Sequence, residues 1–203
     1  MLNILLNELL GAVLQLLLFA LLPFVWWCIT ARKKTGFFRW VGFRRVTHPQ
    51  PLTGTILMTA GVAALYTLLT YLCISRISHA ITTAGSQFAG LGIKAVPAAL
   101  AYAYIRTGLA EETVFRGFLL KRIGNRFGFA TGNLIQAVLF GLLHGLPFGM
   151  VTHNILVTVL LTILPGAFGW YQGWLNEKRC GGSILPSWLL HGTMNFIVTC
   201  LSL

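Results

Sequence analysis

The sequence predicts an all-α, polytopic membrane helix bundle of about six transmembrane helices. Three observations carry that reading. Hydrophobic residues make up 56% of the 203-residue chain. Charged residues make up only 9%, where a soluble domain carries about 25%. Apolar runs long enough to cross a bilayer recur along the chain, each needing about 20 residues at 1.5 Å of rise. The length suits one bundle, so residues 1–203 are expected to form a single transmembrane domain.

The expected spans are about 8–30, 53–75, 94–120, 131–149, 152–175 and 183–202. The first ends in the interfacial aromatic cluster Pro23-Phe-Val-Trp-Trp27, with Glu8 expected at its outer interface. A basic 31–50 loop follows, in which His48 is expected to be solvated. After the second span, residues 76–93 are rich in Ser, Thr, Gly and Gln and contain His79. They read as a solvated external connector or a re-entrant piece. The third span carries Pro97 in its first turn, where proline is tolerated. It also carries Arg106, expected to snorkel outward or to pair with a helix end. His153 and Asn154 mark a helix start, where such residues cap or face water. Pro165-Gly166 is expected to kink the fifth span. Trp170, Tyr171 and Trp174 are expected to form an inner aromatic belt. Cys28, Cys73, Cys180 and Cys200 form no CxxC and read as small apolar residues. The N-terminus lacks the basic region and cleavage site of a signal peptide.

The net charge of +11 raises nucleic acid and membrane lipids as partners. Placement decides for lipids. Arg32, Lys33, Lys34, Arg39, Arg44 and Arg45 fall in the 31–50 loop, Lys121, Arg122 and Arg126 in a 121–130 loop, and Lys178 and Arg179 in a 176–182 loop. No basic face interleaved with aromatic residues is present, so no nucleic-acid partner is expected. With alternating spans the positive-inside rule places these loops in the cytoplasm and both termini outside. The 31–50 loop then faces anionic headgroups. Nothing in the sequence specifies an oligomeric state.

Three segments put polar groups inside these spans, each at the i, i+4 spacing that shares a helix face. The first is Glu111-Glu112-Thr-Val-Phe-Arg116, which holds half of the four acidic residues in the chain. A carboxylate at the bilayer centre costs about 2.5–3.5 kcal/mol on insertion scales, so two adjacent ones mark a functional site. Glu112 and Arg116 can pair within the helix, while Glu111, about 100° around, points into the bundle. The second is Phe140-Gly-Leu-Leu-His144, where Gly141 and Gly145 allow close helix approach. The third is His191-Gly-Thr-Met-Asn195. Taken singly, an ion pair, a core histidine and interhelical hydrogen bonding would account for them. Together they point to hydrolysis. A carboxylate beside an imidazole takes a proton from water, and a second imidazole and an amide donate to an oxyanion. Alternatively Glu111, His144 and His191 hold a Zn-like divalent metal with one position left for water. HExxH is absent, which excludes a zincin helix.

These segments, in this order, resemble the EExxxR, FxxxH and HxxxN motifs of the CAAX protease and bacteriocin-processing (Abi) family. Gly182-Ser-Ile-Leu-Pro-Ser-Trp-Leu-Leu-His191 also resembles the family's approach to its third motif. The resemblance covers about residues 95–203. It implies an intramembrane endopeptidase, similar to CAAX prenyl proteases, acting on a membrane-associated peptide or a lipidated protein. Glu111 would activate water with help from His144, His191 and Asn195 would stabilise the oxyanion, and Glu112 and Arg116 would orient the site. The compact chain resembles prokaryotic members, which places it in a bacterial or archaeal plasma membrane and links it to peptide maturation, bacteriocin immunity or CAAX processing. Two rival readings differ in their tests. A non-catalytic immunity or peptide-binding protein would keep its phenotype when Glu111 or His191 is neutralised. A proton-coupled transporter would show flux driven by a pH gradient, although no inverted repeat supports one.

Overall fold

The computed structural model describes residues 2–47, 51–77, 84–201 and 203, and every regular element among them is helical. A bilayer demands this, because a helix satisfies its backbone polar groups within one segment. Four helices are long and apolar enough to cross a membrane: Leu2–Thr30, Leu52–Leu72, Phe129–Thr152 and Ile155–Arg179. They match four of the six expected spans. The other two are helical but differ for physical reasons. Residues 96–120 carry charges that lower their hydropathy, and Leu185–Cys200 is 16 residues long, about 24 Å at 1.5 Å per residue. These two are the helices that bear the Glu pair and His191.

The chain packs as two compact units. The first comprises Met1–Val46, Thr83–Phe118 and Ser183–Leu203. Here Leu2–Thr30 meets the Glu-bearing helix through charge. Arg106 Nη1 lies 3.1 Å from Glu8 Oε2, and its Nε donates to Gln15 Oε1 at 3.2 Å. Glu8 is therefore buried against protein, and Arg106 pairs across helices instead of snorkelling. An unpaired carboxylate would be costly in the bilayer, and its partner lies 98 residues away, beyond the reach of local spacing. The basic 31–50 loop also contains structure. Phe37–Val41 is a short helix closed by Gly42 in the left-handed region (φ 92°). Trp40 and Val41 are buried, and Phe24, Trp27, Phe37 and Phe38 pack ring against ring. In the 76–93 connector, Ala84–Phe88 and Gly92–Ala95 form short helical turns, and buried Phe88 packs edge-on to Tyr102 at 5.7 Å. Phe88 and Ala95 thus belong to the core, while Leu91 and Ile93 between them stay exposed as a connector would. His48 and His79 lie outside the described residues.

The second unit comprises Thr47–Thr82 and Leu119–Gly182. The expected 121–130 loop is mostly helix, Lys121–Phe127, and the chain turns at Gly128 (φ 88°), a backbone angle that favours glycine. Lys121 reaches Glu177 at 2.5 Å, so these charges are bridged instead of trailing in a loop. Phe129–Thr152 and Ile155–Trp174 form a hairpin closed by His153 in the left-handed region (φ 50°). Asn154 caps the second helix, accepting from Leu156 N and Val157 N, as its position predicts. The expected close approach at Gly141 and Gly145 is present. A Cβ on Gly141 would overlap Thr162 O, one on Gly145 would overlap Thr162 Oγ1, and one on Gly149 would overlap Thr158 Oγ1. Small residues at this spacing let membrane helices meet backbone to backbone. Buried Asn133 and Gln136 add interhelical bonds to Trp170 O and Gly169 O. Tyr171 departs from the expected belt: it is buried, and its hydroxyl bonds Thr59 Oγ1 at 2.8 Å. Cys180 is buried as a small apolar residue, and desolvation pushes its thiol above the ordinary range despite nearby Arg179.

Gly145→Val should therefore lower the thermal unfolding midpoint of the detergent-solubilised protein by several degrees. Gly61→Ala, where an added Cβ meets nothing within 4 Å, should leave it unchanged or slightly raised.

Candidate active site

The Glu pair sits where its helix is locally widened. An α turn, Ala110–Glu112, lies between π-type turns at Ala101–Leu109 and Thr113–Leu120. Such turns recur at functional sites, because they redirect side chains. Thr107 Oγ1 helps satisfy the loosened backbone, donating at 3.1 Å to the carbonyls of Tyr102 and Ala103. Glycines then bring the last helix close. A Cβ on Gly192 would overlap the Tyr104 ring, and one on Gly108 would stand 3.5 Å from Gly192 Cα. Both neighbour the polar residues in sequence, so the approach sets Glu111 and Glu112 against His191.

Glu112 and Arg116 are wholly buried, and the expected intrahelical pair is present, with Nη1 3.1 Å from Oε1. The same Oε1 lies 3.0 Å from His191 Nδ1. Ser187 Oγ donates to Oε2 through a short hydrogen bond. A carboxylate only accepts, so Nδ1 carries the proton and Nε2 is turned outward from the pair. That Nε2 lies 3.7 Å from Glu111 Oε2. Glu111 Oε2 is enclosed and has no hydrogen-bond partner among the described residues. A buried acceptor in that state is where a water or a substrate proton belongs. Glu111 thus stands one imidazole away from Glu112, and the cluster of two acids, one Arg and one His is electrically balanced when His191 is protonated.

Asn195 lies one turn beyond His191, and Thr107 one turn before Glu111. Asn195 Nδ2 donates to Thr107 Oγ1 at 2.9 Å. The amide has a second N–H beyond that one. In its first unit the structure therefore groups Glu111, Glu112, Arg116 and His191, with Asn195 on the adjacent turn. His144 belongs to the second unit. Its Nδ1 lies 2.8 Å from Phe140 O, one turn back, and the Phe140 ring is 4.4 Å away. A carbonyl only accepts, so Nδ1 is the donor of that bond.

Sequence reading missed Ser187 and Thr107. Both were accessible to the same rule, since Ser187, His191 and Asn195 are spaced by four, as are Thr107 and Glu111. It also missed the supports from the basic loop. Gly42 O accepts from Ile184 N at 2.9 Å, and Arg44 O accepts from Ser183 Oγ at 2.7 Å. A Cβ on Gly117 would stand 2.8 Å from Val41 O. Residues 41–44 thereby hold both the end of the Glu motif and the start of the last helix, by backbone contacts that leave no pattern in side chains.

Among the described residues no three His, Cys, Asp or Glu side chains are gathered so as to hold a metal ion. Glu111 and His191 supply two donors, where a catalytic zinc takes three. Carboxylate, imidazole and amide are the groups that the first unit itself brings together.

Removing Arg116 strands a buried carboxylate. Arg116→Leu is expected to cost about 3–5 kcal/mol of stability. Adding Glu112→Gln to that variant should recover part of the loss. Thermal unfolding of the purified variants in detergent checks both.

The family model for Type II CAAX prenyl endopeptidase Rce1-like proteins matches residues 93–197. No curated protein and no solved structure matches the chain. The matched stretch begins just before the Glu-bearing helix, ends just after Asn195 and takes in all three motifs. The chain belongs to the Type II CAAX prenyl endopeptidase Rce1-like family.

Proposed function

We propose that this protein is an intramembrane endopeptidase that hydrolyses a peptide bond in a membrane-associated peptide or a lipidated protein. The observation that carries the reading is Glu111 Oε2 facing His191 Nε2 at 3.7 Å, with the Glu112–Arg116 pair behind the imidazole. A water held 2.8 Å from each would bridge the two atoms in ordinary hydrogen-bond geometry, about 2.8 Å per bond. Glu111 takes a proton from that water as its oxygen attacks the scissile carbonyl carbon. The FxxxH motif of the family would make His144 the assisting base. The tetrahedral oxyanion receives hydrogen bonds from protonated His191 and from the second N–H of Asn195. Glu112 steadies the imidazolium, as the carboxylate does in a hydrolase triad. Collapse breaks the C–N bond, and the proton on Glu111 passes to the leaving amine. One water is consumed, and a carboxylate and an amine are released.

The six-span topology belongs to the same proposal, with the charged Glu helix and the short last helix as the third and sixth crossings and both termini outside. Burial of Glu112 and Arg116 against the last helix supports it, because each charge is then matched inside protein and not exposed to lipid. A prokaryotic plasma membrane is the proposed location.

The test uses purified protein in detergent with a CAAX-like and a leader-peptide library. Wild type should release products whose masses give the bond cleaved. Glu111→Gln and His191→Ala should lower turnover by at least about 100-fold with unchanged insertion. Full activity in Glu111→Gln would end the catalytic assignment. Insensitivity to chelator fits the metal-free chemistry written here, whereas loss of activity restored by added Zn would favour an ion held by Glu111, His144 and His191.

A further inference from the structure

Ser187 has no part in the three motifs, yet it touches a wholly buried charge of the cluster. Its hydroxyl donates to Glu112 Oε2, while Arg116 and His191 sit on Oε1. Ser187 and His191 are one turn apart, so the last helix grips both oxygens of one carboxylate. Two such points fix the rotation of the carboxylate plane, which a contact to Oε1 alone does not. The plane of Glu112 in turn sets the direction of the His191 Nδ1–H bond, and with it the aim of Nε2 at Glu111. Ser187 Oγ also stands 3.1 Å from Ile184 O. A hydroxyl has one proton, so it serves Glu112 or Ile184 but not both fully. The charge-assisted bond to the carboxylate is the stronger of the two while Glu112 is ionised. Were Glu112 to take a proton, the hydroxyl would turn to Ile184 O and accept from the acid instead.

We infer that Ser187 is a positioning residue of the hydrolytic site: it locks the Glu112 carboxylate and, through it, orients His191 toward Glu111. This role rests on the protease reading above. It does not require Ser187 to touch substrate, which separates it from the motif residues.

Full-length protein carrying Ser187→Ala, Ser187→Thr or no change should be compared on the peptide that wild type cleaves. Ser187→Ala is expected to lower kcat by about ten- to a hundred-fold with KM close to wild type. Its pH–rate profile should be displaced, and Ser187→Thr should restore most of the rate. A kcat and pH profile equal to wild type in Ser187→Ala would overturn the inference. So would a Ser187→Thr variant as slow as Ser187→Ala. If Ser187→Ala does not fold, Ser187→Cys replaces it, since a thiol is a weak donor of similar size. An infrared arm needs no turnover. The chain has four acidic residues, all glutamate, so 13C-glutamate labelling reports few carboxylates, and Glu112→Gln identifies the band of interest. That band should move in Ser187→Ala and hold in Ser187→Thr, and a band that does not move overturns the inference. If wild type cleaves no peptide, the protease reading fails, and the infrared arm alone judges the lock on Glu112.

Discussion

The Glu112 carboxylate constrains everything around it. It is ionisable, wholly buried and carried on a helix in an apolar chain, so water cannot satisfy it. Arg116 answers it from the same helix, and His191 and Ser187 answer it from the last one. Because those donors lie one turn apart, the two helices can meet in only one rotational register. The glycines at 108 and 192 make that register reachable by letting backbones approach. Glu111, its neighbour in sequence, is then brought within 3.7 Å of Nε2 of the imidazole that Glu112 holds. A stability requirement and the geometry of the candidate site are thus met by the same contacts.

Scarcity of acid makes this economy visible. Each of the four glutamates has a cationic or imidazole neighbour: Glu8 with Arg106, Glu111 with His191, Glu112 with Arg116, and Glu177 with Lys121. Three of these pairs join segments far apart in the chain. In a bilayer an unmatched charge is expensive, so these three pairs act as tethers between helices as well as local neutralisers, while Glu112–Arg116 neutralises within one helix. Glu111 is the exception in kind. Its neighbour is 3.7 Å away, and its Oε2 has no hydrogen-bond partner among the described residues. The acid proposed to activate water is thus the one whose Oε2 lacks a hydrogen-bond partner among the described residues, which suits a group that acts on something else.

The N-terminal half carries no motif, yet it shapes the site. Residues 41–44 lean on Gly117, Ser183 and Ile184 through backbone oxygens. Glu8 and Gln15 hold Arg106, which lies one residue before Thr107. Family motifs record residues that touch chemistry. The scaffold that aims them uses carbonyl oxygens and aromatic packing, which many sequences can supply.

Periodicity and composition by themselves determined that the chain is helical and membrane-embedded, because hydropathy and the 3.6-residue repeat are local properties. The i, i+4 rule likewise determined the Glu112–Arg116 pair and the shared face of His191 and Asn195, and capping preference gave the cap at Asn154, since each needs only one helix. Tertiary structure alone decided that Arg106 belongs to Glu8, that Tyr171 is buried against Thr59, that His191 bridges the two glutamates, and that Ser187 stands behind them. Those contacts join residues separated by up to 112 positions, and no local pattern encodes which distant face a helix will meet. Charge and hydrogen-bond demand say only that a partner must exist; close packing of particular glycines and threonines chooses which one it is.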